Sequence, residues 1–122
     1  MPKEKRQGEP RIDFRVAVNV QQASRLQQFY SRNLSRGGIF LEIPGDSPPV
    51  GATLNLEFQV PDPKTEIQVS AEVVHHHVFD ALDDQMRKVQ RAGIGLKFLN
   101  LNPEDQQLIS RFVTGKDLHV RD

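Results

Sequence analysis

A mainly β domain, with about six short strands followed by one C-terminal helix, is what this sequence predicts, and three observations carry the prediction. Ile12, Phe14, Val16, Val18 and Val20 fall at every second position, with Asp13, Arg15, Ala17 and Asn19 between them. Further short apolar runs recur along the chain, bounded by Gly, Pro, Asn and Asp. Near the end, Asn102-Pro103-Glu104-Asp105 opens an amphipathic stretch. Short strands punctuated by turns favour a small antiparallel barrel or sandwich, and a barrel removes most exposed edges.

Residues 1–10 are polar, charged and bounded by Pro2 and Pro10, so they read as a flexible basic segment carrying Lys3, Lys5 and Arg6. The alternation over residues 12–20 is a strand with one buried face. Residues 21–25 read as a turn, and Leu26 to Leu34 as a second antiparallel strand. Ser35-Arg36-Gly37-Gly38 turns the chain into a strand with Ile39, Phe40, Leu41 and Ile43. Pro44 to Pro49 is a loop dense in breakers. Leu54, Leu56, Phe58 and Val60 alternate, and so do Ile67, Val69, Ala71 and Val73, with that strand continuing toward Val78. Residues 79–91 read as a surface loop or one helical turn, and residues 93–99 as a last strand. Asn102 suits an N-cap and Pro103 the first helical position. Leu108, Ile109, Phe112 and Val113 share one helical face, and Gly115 ends the helix. The expected organisation is a segment 1–10, a domain 11–115 and a tail 116–122.

The chain has 122 residues, the length of one domain able to bury its own core. It has no cysteine, which excludes disulfides and thiolate metal sites. Sixteen basic residues balance sixteen acidic ones. Nucleic-acid binders carry a basic excess, so no nucleic-acid partner is expected. One Tyr and no Trp also argue against a stacking platform for single strands. The N-terminus lacks the apolar core of a signal peptide, and no run approaches the roughly 20 residues of a membrane span. A cytoplasmic protein without membrane insertion is the expectation.

No enzyme signature is present. His75-His76-His77 lies within a strand pattern, so His75 and His77 share a face, and two ligands fall short of a metal site. A solvated strand surface accounts for them. Asp80, Asp83 and Asp84 lack calcium-loop spacing and read as a solvated loop. The serines have no nucleophile-elbow context, and no phosphate-binding loop occurs. Neither a catalytic residue nor a metal ligand is assigned.

The turn Asn33-Leu34-Ser35-Arg36-Gly37-Gly38 is different. Asn33 can bond local backbone, and Ser35 offers a hydroxyl. Gly37 and Gly38 permit positive φ and bare N–H groups, which can form an anion-binding concavity. Arg32 and Arg36 flank it. A phosphate or a guanine edge would suit this mixture.

This turn fits the Asp/Asn-x-Ser-x-x-Gly motif of the PilZ domain family, and the surroundings resemble that family over about residues 5–114. The basic segment, the Gly-Gly-hydrophobic strand, Val50-Gly51, LNLEFQVP, EVVHH and GIGLKFLNLNPEDQQLISRFV follow in the family's order. The resemblance implies a six-stranded antiparallel β-barrel with a C-terminal helix that acts as a cyclic di-GMP receptor without a cofactor. It implies that Asn33, Ser35 and Gly38 hold a guanine, and that an Arg-x-x-x-Arg pair grips phosphates and guanine faces. Arg11 and Arg15 satisfy that spacing literally. Arg11, followed by Ile12, better fits the second arginine, which puts Gln7 at the first and Arg6 one residue away. The expected ligand-binding set is therefore Arg6, Gln7, Arg11, Arg15, Asn33, Ser35 and Gly38. No output domain is evident in the sequence, so the expected second partner is an unidentified protein acted on in trans. The alternative, motivated by Gln7, is a degenerate PilZ-like protein-interaction module without nucleotide.

Overall fold

In the computed structural model, which describes residues 11–61 and 64–121 and side chains as far as Gly115, the apolar alternation of the sequence closes on itself. The strands are β1 (Arg11–Asp13), β2 (Ala17–Gln22), β3 (Arg25–Ser35), β4 (Gly38–Glu42), β5 (Thr53–Val60), β6 (Thr65–Leu82) and β7 (Lys88–Phe98), followed by α1 (Pro103–Arg121). They form one antiparallel sheet of order β1-β3-β2-β5-β6-β7-β4, and β4 returns to pair with β3. Six strands thus make a barrel-like ring, with β1 lying along the far end of β3. Inside sit Val18, Val20, Leu34, Ile39, Leu41, Leu54, Leu56, Phe58, Ile67, Val69, Ile94 and Leu96. Burying a side chain of this kind contributes about 1.5–3 kcal/mol, so the alternating residues dominate the fold's stability.

The run over residues 12–20 is not one strand. It is interrupted at residues 14–16, between β1 and β2. The buried Ser31 side chain enters the gap, accepting from Val16 N at 3.0 Å and donating to the Phe14 carbonyl. A hydroxyl thereby takes the place of ladder partners, and the apolar parity of Phe14 and Val16 survives the break. The turn expected over residues 21–25 tightens to Ala23-Ser24, with Ala23 at φ 55° and Gln22 already paired with Arg25.

Residues 79–91 are neither a loop nor a helical turn. β6 and β7 run on past the barrel as a two-stranded ribbon that stays paired to Leu82↔Lys88. Asp83 staples its tip. One carboxylate oxygen accepts from Gln85 N at 2.8 Å and Arg87 N at 2.9 Å, and the other meets Arg87 Nε at 3.0 Å. Chiefly the Arg87 backbone donor holds this carboxyl below the usual aspartate range.

α1 begins as expected: Asn102 Oδ1 accepts from Asp105 N at 2.8 Å. Ile109 and Val113 are buried, and Phe112 meets Phe14 edge-on at 5.2 Å between centroids. The helix does not stop at Gly115 but continues to Arg121. Gly115 does not adopt the positive φ that a terminating glycine uses. Among the described residues no helix is long and apolar enough to cross a membrane.

Candidate functional site

The pairing of β1 with β3 sets Arg11 opposite Ser35 and Asp13 opposite Asn33. Arg11 therefore lies across the end of β3 as the chain turns into β4. Its Nη1 donates to Asn33 Oδ1, and its Nη2 donates to Ser35 Oγ at 3.2 Å. Ser35 is buried, and its Oγ also accepts from Gly38 N at 3.2 Å. A planar fork with several N–H groups is suited to spanning two acceptors at once.

Gly38 serves this corner sterically. A Cβ there would stand 2.2 Å from the Leu96 carbonyl oxygen, so only glycine lets β4 pair with β7 at this point. Gly37 O accepts from Phe98 N at 2.9 Å, which fixes the turn against β7. The anion-binding concavity expected from Gly37 and Gly38 is not formed. Neither residue has a positive φ, and Gly38 N is committed to Ser35. Arg11 lays its guanidinium directly on the corner.

A second surface adjoins it. Up to Val73, the odd-numbered residues of β6 point inward; Ile67, Val69, Ala71 and Val73 are buried. The register with β7 then shifts: Val73 pairs with Leu96, but His75 pairs with Gly95, leaving Val74 as a bulge. A bulge exchanges the faces of a strand. His75, His77 and Phe79 consequently turn outward, toward the side where Arg11 and Asn33 stand. Gly95 has no side chain to oppose them, and a Cβ there would lie 2.2 Å from the His75 ring. At Gly93 a Cβ would stand 2.3 Å from the Leu41 carbonyl oxygen and 2.5 Å from the Phe40 ring. Phe40 lies 6.2 Å from His75 and 6.0 Å from His77 and Phe79, centroid to centroid. Arg32 stacks over Phe79 at 4.3 Å and pairs with Glu42 at 3.2 Å. Corner and rings together bound a cavity of about 440 Å³.

Of the residues expected to bind ligand, Arg11, Asn33, Ser35 and Gly38 come together. Arg15 does not join them: its guanidinium lies 4.3 Å over the Tyr30 ring, facing a different groove. Arg6 and Gln7 lie outside the described residues. Sequence reasoning missed Phe40, Phe79 and the two glycines, and treated His75 and His77 as solvated surface. The facing patterns His-x-His on β6 and Gly-x-Gly on β7 were the available signal. Among the described residues, no group of three or more His, Asp or Glu is placed to hold a metal ion.

A family model for the PilZ domain matches residues 4–115. Compared with curated protein sequences, the chain matches none. Among solved structures it is similar to the Bacillus subtilis inhibitor of motility (MotI/DgrA), with TM-score 0.78 and 22% identity over 95% of this chain and 53% of that one. It is similar to the PilZ domain of Escherichia coli YcgR with c-di-GMP, with TM-score 0.76 and 16% identity over 95% of each. The K. pneumonia MrkH–c-di-GMP complex gives TM-score 0.73 and 18% identity over 94% of this chain and 53% of that one. The chain thus spans about half the length of MotI/DgrA and MrkH. At these identities the likeness is one of fold.

Proposed function

The chain belongs to the PilZ domain family, and from that premise we propose that it is a non-enzymatic cytoplasmic receptor for cyclic di-GMP that relays the signal to a partner protein. The observation carrying this reading is the fork of Arg11 over Asn33 and Ser35, at the rim of a cavity walled by Phe40, His75 and His77. Cyclic di-GMP is a flat-based dianion. Arg11 supplies charge and a planar face for stacking, Asn33 supplies hydrogen-bonding groups for a guanine edge, and the rings supply further stacking surface. Ser35 and Gly38 act indirectly, by holding the corner in shape. Arg6 would add positive charge and Gln7 hydrogen-bonding groups toward the same ligand.

Calorimetric titration of the protein with cyclic di-GMP tests this. The expected result is saturable heat with the wild type and none with the double variant Asn33→Ala, Ser35→Ala. No heat at high ligand concentration overturns the reading. The alternative is then a degenerate PilZ-like interaction module, favoured by Gln7 at the first arginine position and by Arg15 lying on Tyr30. A partner that Arg11→Ala still captures would support that alternative.

A further inference from the structure

β4 is shorter than the strands on either side of it. Its last rungs pair Glu42 with Tyr30 on β3 and with Gly93 on β7. One more bond, Ile43 N to Ala92 O at 3.0 Å, follows; Pro44 and Gly45 then line the adjoining groove, and residues 46–49 lie near Arg25 and Gln27. Both neighbours continue, β3 back to Arg25 and β7 back to Lys88. On their outer sides these extensions are paired, Arg25 to Tyr30 with β2 and Lys88 to Ala92 with β6. On the sides that face each other, no strand of the described residues pairs with Arg25–Gln28 or with Lys88–Arg91. Two sheet edges therefore start one strand apart, at the rung where β4 ends. The gap between them coincides with a groove of about 660 Å³ reached by Phe29, Tyr30, Ile43, Val89 and Arg91. It is separate from the cavity at Arg11, which shares none of those residues.

We propose that this gap receives an extended acidic segment of a partner protein, added as a strand between β3 and β7 in the direction of β4. Strand addition draws its affinity from main-chain hydrogen bonds and its selectivity from alternate side chains. Here both edges are available, so a single peptide can bond on both sides. Charge selects the occupant. Arg15 and Arg91 line the groove, and Arg25 and Lys88 stand exposed on the two edges. Against these four bases stand Glu42, which lines the groove, and Asp46, which lies near Arg25. Glu42 is itself balanced by Arg32 at 3.2 Å and Arg91 at 3.8 Å. An acidic segment is attracted and a basic one repelled, which disfavours this chain's own residues 3–6, Lys-Glu-Lys-Arg. The apolar groups at the gap, Phe29, Ile43 and Val89, call for apolar residues at alternate positions of the guest.

The probe is an acetylated, amidated peptide alternating glutamate with valine, and its lysine–valine counterpart is the control. Backbone amide exchange is followed by NMR on the full chain. Binding of the acidic peptide is expected, with protection at Arg25–Gln28 and Lys88–Arg91 together and no effect of the lysine peptide. The exposed double charge reversal Arg25→Glu, Lys88→Glu is expected to weaken the acidic peptide at least tenfold and to admit the lysine peptide. Absence of protection at millimolar acidic peptide overturns the proposal. So does protection confined to one strand or located elsewhere, or a reversal variant that keeps the original preference. Should the reversal variant not fold, the paired protection pattern of the wild type decides alone. None of these readouts involves cyclic di-GMP, so the outcome is independent of the function proposed above.

Discussion

The corner at Ser35 and the ring face of β6 and β7 border the same cavity but are built in opposite ways. At the corner, polar side chains are satisfied within the fold: Arg11 holds Asn33 and Ser35, and Ser35 holds Gly38. On the ring face, exposed His75 faces Gly95, His77 stacks on Phe79, and both adjoin Phe40; a bulge rather than a hydrogen-bond network aims them. The corner is preorganised by backbone. The exposed His75 ring is placed by shape alone, so it can shift at low cost. Two glycines make the contrast measurable, because a Cβ at Gly38 or at Gly95 meets an atom at the same 2.2 Å.

Gly38→Ala is expected to have the largest effect. The obstacle is the Leu96 carbonyl oxygen, which cannot move without separating β4 from β7. Overpacking of this kind costs up to about 3 kcal/mol, and here the upper end applies. Chemical denaturation should show that loss, and cyclic di-GMP binding should vanish with the corner's geometry. A stability change under about 1 kcal/mol would mean that the strands are not held where this close approach requires.

Arg11→Ala comes next and separates binding from folding. Arg11 is exposed, so truncation should leave the melting temperature nearly unchanged. Charge-assisted hydrogen bonds contribute about 1.5–3 kcal/mol, which predicts a ten- to hundredfold weaker affinity by calorimetry. If melting falls together with affinity, Arg11 is a structural brace of the corner rather than a group reserved for ligand.

Gly95→Ala is the counterpart of Gly38→Ala. The new methyl would meet the Cε1 and Nε2 atoms of His75, the far end of a side chain that can swing outward. Stability should change by less than about 1 kcal/mol, while affinity drops roughly tenfold because the ring leaves its place. Equal stability losses at Gly38 and Gly95 would erase the distinction between a backbone-held and a shape-held wall.

The same distinction decides what the sequence could reveal. The strands of the barrel repeat every second residue where one face is buried, and that alternation was readable over residues 12–20, 54–60 and 67–73. The corner was readable too, since its chemistry is concentrated in residues 33–38. The ribbon over residues 79–91 was not, because beyond the barrel neither face is buried and no period remains; Val78 and Leu82 stand half exposed. The Val74 bulge was hidden in a run, Val73 to Val78, whose three histidines give no in–out pattern. The break at residues 14–16 was hidden for the reverse reason: Phe14 and Val16 keep the alternation while Ser31, far away in sequence, supplies the missing partners. Long-range hydrogen bonding of that sort leaves no local trace.

Arg15→Ala is expected to have the smallest effect, and it tests the register of the arginine pair. Arg11 and Arg15 satisfy Arg-x-x-x-Arg as written, yet the interruption after β1 carries them to different surroundings. Arg11 reaches the corner, whereas Arg15 lies over Tyr30 at 4.3 Å, beside the gap between β3 and β7. An exposed cation–π contact contributes about 0.5–1 kcal/mol, so stability should fall by no more than that. Affinity for cyclic di-GMP should change by less than about threefold, since this guanidinium is turned toward Tyr30 rather than the cavity. A loss as large as that of Arg11→Ala would make Arg11 and Arg15 the working pair. It would require Arg15 to leave Tyr30 when ligand arrives, and the backbone between β1 and β2 to be where that movement occurs.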